Sequence, residues 1–188
     1  QMLANASLAV AQEPADGHWR DFALWLLAIA KLTNGDPAGV DELMADAVAT
    51  ARRAGNVGIA SCAVGHRAMV AADLGDWTKA AALLSEVDAR AVAQLGGYPS
   101  AAPLFAVRIR LAIRRGDVAA ARQELANLVL LRPTLTAQAA FAVMSLIGFA
   151  RAYLACGDPA GARAVLAQAS DILRRHPDLG VLPAKVAE

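Results

Sequence analysis

Cysteine is almost absent from the chain: Cys62 and Cys156 are the only two, far apart and in no metal-ligand spacing. A disulfide-rich scaffold is therefore excluded, and two reduced thiols in packing roles are expected, with a single disulfide as the alternative. Histidine is scarce too. His18, His66 and His176 are scattered, and none has a second histidine or a carboxylate at ligand spacing, so no metal site is expected. An excess of one charge is missing. Eighteen basic residues face seventeen acidic ones, a formal net charge of +1, which builds in no global attraction to nucleic acid or an acidic membrane. Aromatics make up 5% of the chain, and β-branched residues are comparatively few, which argues against a large sheet.

A long, strongly apolar run is also lacking, although the mean hydropathy of +0.40 raises the question of a membrane. The longest uncharged stretch lies between Arg132 and Arg151 and contains Pro133, Thr134, Thr136, Gln138 and Ser145. It is marginal against the roughly 20 strongly apolar residues that a span requires. A helix buried on most of its sides is the preferred reading, with no membrane contact. No basic start followed by an apolar core marks a signal peptide, and the two reduced thiols point to a cytoplasmic location. The chain starts on Gln1 within helical pattern, which reads as a piece of a longer protein.

What the chain does have is alanine, about a quarter of all residues and the best helix former. It also has a repeat. Gly35-Asp36, Gly75-Asp76, Gly116-Asp117 and Gly157-Asp158 recur at intervals of about 40 residues. Glycine suits the left-handed position that ends a helix, and aspartate suits the N-cap of the next one. Pro37 and Pro159 then fall at a first helical position, where a missing N–H costs nothing. Apolar residues hold register around every turn. Seven before each Gly stand Ala28, Ala68, Ile109 and Ala150; three before stand Leu32, Ala72, Ile113 and Leu154. Five after stand Val40, Ala80, Ala121 and Ala162; nine after stand Met44, Leu84, Leu125 and Leu166; twelve after stand Ala47, Val87, Leu128 and Ala169. This is helical spacing on both sides of a tight turn, the pattern of stacked antiparallel hairpins.

Breaks between units fall at Glu13-Pro14, Gly55-Asn56, Gly96-Gly97-Tyr98-Pro99, Arg132-Pro133 and His176-Pro177. The expected helices span 1–12, 17–33, 37–54, 57–74, 77–95, 101–115, 118–131, 135–155 and 159–175. The expected architecture is all-α: a right-handed superhelical array of antiparallel helix pairs, about nine helices, over residues 1–176. Residues 177–188 are expected to be a linker, or the start of a further helix leading to a C-terminal domain.

Tyr153, Gly157, Asp158, Ala162, Leu166 and Ala169 resemble the tetratricopeptide consensus. The other units carry Lys31, Ala71 and Ala112 at the tyrosine position, and the period is longer than the usual 34 residues of that family. Long, degenerate repeats of this kind are similar to the MalT-like region of large LuxR-type bacterial transcription regulators. The tail from Asp171 to Glu188 resembles the segment that precedes their DNA-binding domain. The resemblance implies a helical array that receives a small effector or a regulatory protein, with DNA binding left to a separate domain. The chain has no G-x-x-x-x-G-K-[ST] phosphate loop and no basic recognition helix, so neither a nucleotide cofactor nor direct nucleic-acid binding is expected.

The candidate ligand site follows from the repeat register. The first helix of each pair is expected to line the concave side. Six before each Gly stand Ile29, Met69, Arg110 and Arg151; two before stand Thr33, Asp73, Arg114 and Ala155. Arg110 and Arg114 share a helix face, and Arg151 is expected beside Arg110. Three converging guanidinium groups suit a carboxylate or phosphate. The competing reading is ordinary surface arginines, some paired with Asp73 or Glu124. Trp25, ten before Gly35, would face the groove, or would be core together with Trp19 and Phe22. His66 has two readings, a groove residue beside Met69 or a structural residue. Trp77, just after a turn, is expected to pack on a neighbouring unit, and Tyr98 to sit in an exposed loop forming a mouth or hinge. No Ser/His/Asp or Cys/His set can be assembled, so a binding module and not an enzyme is expected. Its occupant is a small effector or, alternatively, a peptide or partner helix. Self-association into a homodimer is a further possibility.

Overall fold

A computed structural model of the chain describes residues 5, 12, 19–87, 101–131 and 139–187. Apart from residues 5 and 12, the expected helix over 1–12 lies outside these residues, as do the 88–95 end of the fifth expected helix, the Tyr98 loop and the Arg132-Pro133 break.

Helices account for all the regular structure among the described residues. They are α1 (Arg20–Thr33), α2 (Val40–Arg53), α3 (Val57–Asp73), α4 (Trp77–Ser85), α5 (Ala102–Arg114), α6 (Val118–Leu131), α7 (Ala139–Ala155), α8 (Pro159–Arg175) and the short α9 (Leu182–Ala187). The four Gly-Asp pairs join α1 to α2, α3 to α4, α5 to α6 and α7 to α8. Each turn Gly is left-handed, with φ between 76° and 84°. The amide of each following Asp donates to the carbonyl of Lys31, Ala71, Ala112 or Tyr153, at 2.9–3.0 Å. The same bond therefore closes every hairpin on the residue at the tyrosine position, whatever its side chain.

Three of the four aspartates then cap the next helix. Asp76 accepts from the Lys79 amide at 2.9 Å, Asp117 from Ala120 at 2.9 Å and Asp158 from Gly161 at 2.8 Å. The first unit departs from expectation. Helix α2 starts at Val40, three residues after Pro37, and its N-cap is the left-handed Gly39. Asp36 is occupied with the Lys31 ammonium and the Ala38 amide, so it does not reach the third helical residue.

The repeat positions explain the packing. The residues seven before and five after each turn glycine are all buried, and all but Ile109 and Val40 are alanine. They sit where the two helices of a hairpin cross, and a small side chain there permits close approach. Gly65 in α3 serves the same end between repeats: a Cβ there would stand 3.0 Å from the Leu104 backbone nitrogen of α5. Leu154, three before the last turn glycine, breaks the rule and is 56% exposed. Helix α7 is buried along nearly its whole length, from Ala140 to Ala152. That accounts for its uncharged sequence, and no helix among the described residues is long and apolar enough to cross a membrane.

The first helices of the pairs face inward and stack: α3 packs on α5, and α5 on α7. The array also meets itself. Trp25 of α1 stacks on Phe141 of α7, with ring centroids 5.1 Å apart. The C-terminal segment returns to the first turn, where the Val181 amide donates to the Thr33 carbonyl at 2.8 Å. Leu182 is buried, and α9 packs on α7 and α8.

Candidate functional site

Where α1, α3, α7 and α9 converge they line a half-open cavity of about 190 Å³. Leu32, Thr33 and Pro37 come from the first hairpin, and Met69, Val70, Asp73 and Leu74 from the second. Met144, Ile147 and Arg151 come from α7, and Leu182 and Lys185 from α9. The wall is mostly aliphatic and thioether, with Asp73, Arg151 and Lys185 as its charged members. An apolar surface with a few placed polar groups is the usual make-up of a small-molecule site.

The charged group is organised around Asp73. One carboxylate oxygen takes Arg110 Nη1 at 2.9 Å, and the other takes Arg151 Nη1. Arg110 also reaches the Ala72 carbonyl at 3.5 Å. Helices α5 and α7 are thus both tied to the end of α3. Arg114 makes a different contact: its guanidinium lies 4.5 Å from the centre of the Trp77 ring, with Arg110 at 4.9 Å from the same ring. Trp77 thereby holds the second hairpin to the third through its π face. These groups are partly solvated, so each ion pair contributes under about 1 kcal/mol to stability.

The seven residues nominated from sequence separate into three groups. Met69, Asp73 and Arg151 line the cavity. Arg110 and Arg114 flank it, engaged with Asp73 and Trp77. Trp25 and His66 lie in the core instead, 4% and 1% exposed. The reason is visible at the offset ten before each turn glycine. Gly65 and Ala106 there are too small to separate the helices, so α1 and α7 close over the Trp25 indole. His66 Nδ1 is 2.8 Å from the Cys62 carbonyl, which can only accept, so this nitrogen carries the proton. The Trp25 indole nitrogen, 3.5 Å from the same atom, is then an edge contact with the imidazole. Burial pushes the His66 pKa down to about 4, so the ring is neutral at pH 7.

Leu32, Thr33, Met144, Ile147, Leu182 and Lys185 were not nominated. Leu32 and Thr33 hold the same register positions as Ala72 and Asp73, and Ile147 the same position as Trp25, so the repeat offset would have found them. Nothing in the register points to Leu182 or Lys185. Other charged residues do structural work. Arg67 clamps Asp41 through two bonds of 2.8 and 3.2 Å, and Lys79 joins at 3.0 Å. Arg67 and, less strongly, Lys79 hold the Asp41 carboxyl below its ordinary range. Arg108 pairs with Glu124 at 3.4 Å. Asn56 caps α3 and donates to the buried Asp21 of α1 at 2.8 Å. Among the described residues no cluster of three or more His, Cys, Asp or Glu side chains could hold a metal ion. Neither cysteine forms a disulfide among the described residues, and burial raises the Cys156 thiol pKa.

The family model described as a tetratricopeptide repeat matches residues 144–168, the turn and facing halves of α7 and α8. Together with four like-closed hairpins, this decides the architecture. The chain folds as a tetratricopeptide-like array. The array is similar to a solved structure from Podosopora anserina, described as a kinesin light chain with nearly identical TPR-like repeats. The identity is 19% and the TM-score 0.47, over 94% of this chain and 86% of that one. A Q-to-M variant of that protein aligns at 19% identity and TM-score 0.48, over 93% and 85%. No curated protein matches the array by sequence.

Proposed function

We propose that this array is the sensor module of a LuxR-type transcription regulator and binds a small effector in the cavity between α1, α3, α7 and α9. One observation carries the reading: the cavity wall is drawn from the first, second and fourth hairpins and from the C-terminal segment together. A ligand touching all four would favour the docked arrangement over any other, which is what an effector must do. The segment supplying Leu182 and Lys185 is the one whose sequence resembles the connection to a DNA-binding domain. On this reading the module acts in the cytoplasm, binds without catalysing and leaves DNA contact to another domain.

Native mass spectrometry of the purified chain, followed by denaturing extraction, tests it. A small molecule that co-purifies and is lost on Met69→Ala or Arg151→Ala in a folded protein supports the sensor. A protein that comes through empty but binds a defined peptide along the same helices replaces it with the second reading, a protein-interaction scaffold. That alternative draws on Leu74, an apolar side chain 81% exposed at the cavity rim.

A further inference from the structure

The charge around the cavity is unbalanced. Arg110 and Arg151 divide one carboxylate, Asp73, between them, and Lys185 is a third cation on the wall. Only Nη1 of Arg151 is engaged with it. Lys185 has no carboxylate partner among the described residues, yet it lines the cavity from α9, as Arg151 does from α7. The remainder of the wall offers no competing anion: Met69, Met144, Ile147 and Leu182 are apolar, and the Thr33 hydroxyl already donates to the Ile29 and Ala30 carbonyls at 3.1 and 3.0 Å.

We infer that the cavity takes a small amphipathic anion, a monocarboxylate whose head group lies between Arg151 and Lys185 and whose body lies on the methionine and aliphatic wall. The inference rests on the small-effector reading above and gives it a ligand class. The apolar wall of this half-open cavity of about 190 Å³ gives room for a body of roughly six to eight carbons, set beside the enclosed apolar cavity of about 150 Å³ that admits benzene. Charge excludes the alternatives. A cationic head would meet Arg151 and Lys185 with only Asp73, already shared by two arginines, to pair with. A neutral head would cover the ammonium without pairing it. A polyphosphate would need more cations than this wall holds, and it would leave the apolar surface unused.

The arrangement has a consequence for the tail. A carboxylate bound by both cations bridges α7 to α9, so it fastens the C-terminal segment to the array. Its competitor for Arg151 is Asp73, which remains held by Arg110 when Arg151 turns to the ligand.

The test is calorimetric titration of the whole chain at pH 7 with octanoate, octanol and octylammonium. Octanoate binds, octanol binds at least about tenfold more weakly, and octylammonium gives no heat of binding. Lys185→Gln and Arg151→Gln each weaken octanoate about tenfold and leave octanol unchanged. Both side chains are at or near the surface, and circular dichroism confirms that the variants fold. Asp73→Asn removes the competing carboxylate and tightens octanoate. Equal affinity for octanoate and octanol would overturn the inference while leaving a small-effector cavity in place. Preference for octylammonium would overturn it by moving recognition to Asp73. Absence of octanoate binding up to about 5 mM would overturn it as well. The broader reading fails separately, through an array that carries no small molecule and captures a peptide.

Discussion

His66 is a basic side chain stored in its neutral form. Its folded pKa of about 4 lies below the ordinary 6.5, so the unfolded chain binds the proton more readily. Stability from this residue is therefore complete above about pH 6.5 and is lost as pH falls from there towards 4, at up to about 1.4 kcal/mol per unit. Urea unfolding between pH 7 and 4.5 checks this. His66→Asn keeps a donor near the Nδ1 position and is expected to flatten the slope, because asparagine does not titrate. A second residue-scale prediction concerns Gly65. Its absent Cβ leaves room for the Leu104 backbone nitrogen, and backbone cannot swing aside as a side-chain tip would. Gly65→Ala is expected to cost about 1–3 kcal/mol in denaturant unfolding, by separating α3 from α5. At this scale the sequence identified which residue types matter but not which way they point. The arginine at six before the turn was legible from register. That Asp73 would serve two arginines at once depends on how three repeats curve, which no offset encodes.

At the scale of helices, register was almost fully legible, and the reason is chemical. A left-handed residue at a helix end requires glycine, and an exposed N-cap favours aspartate, so both positions are marked by residue type. Helices α6 and α8 begin and end where spacing predicts them. The first turn failed because Pro37 and Gly39 give the chain another route into α2. The difference is measurable. Asp117→Ala removes a cap bond to the Ala120 amide and is expected to cost about 1 kcal/mol by thermal unfolding. Asp36→Ala is expected to cost clearly less, because Gly39 opens α2 and Asp36 caps no amide of that helix, its partners being Lys31 of α1 and the Ala38 amide. Equal losses from the two variants would place Asp36 in the capping role after all.

The closure of the whole molecule was the least legible feature, since it depends on contacts between residues at opposite ends of the array. Trp25 meets Phe141, and residues 180–182 meet residues 33–35, with no repeat offset linking either pair. Gly180 is the sensitive point. It sits at φ 61°, and a Cβ there would stand 2.0 Å from the Thr33 carbonyl oxygen. That distance is far inside van der Waals contact with a backbone atom, which has no way to give. Gly180→Ala is therefore expected to undock the segment from Leu179 to Ala187 while the four hairpins stay folded, because each is closed by its own Asp amide bond and the tail adds only the Val181 bond to Thr33 at the first turn. Hydrogen exchange reads the outcome directly: the Val181 amide loses the protection of its bond to Thr33, and amides in α3 and α5 keep theirs. If the tail is one wall of a working cavity, the same variant also weakens octanoate by at least as much as Lys185→Gln, since Leu182 and Lys185 leave together. Lost tail protection with unchanged octanoate affinity would mean that the tail closes the array without forming its site.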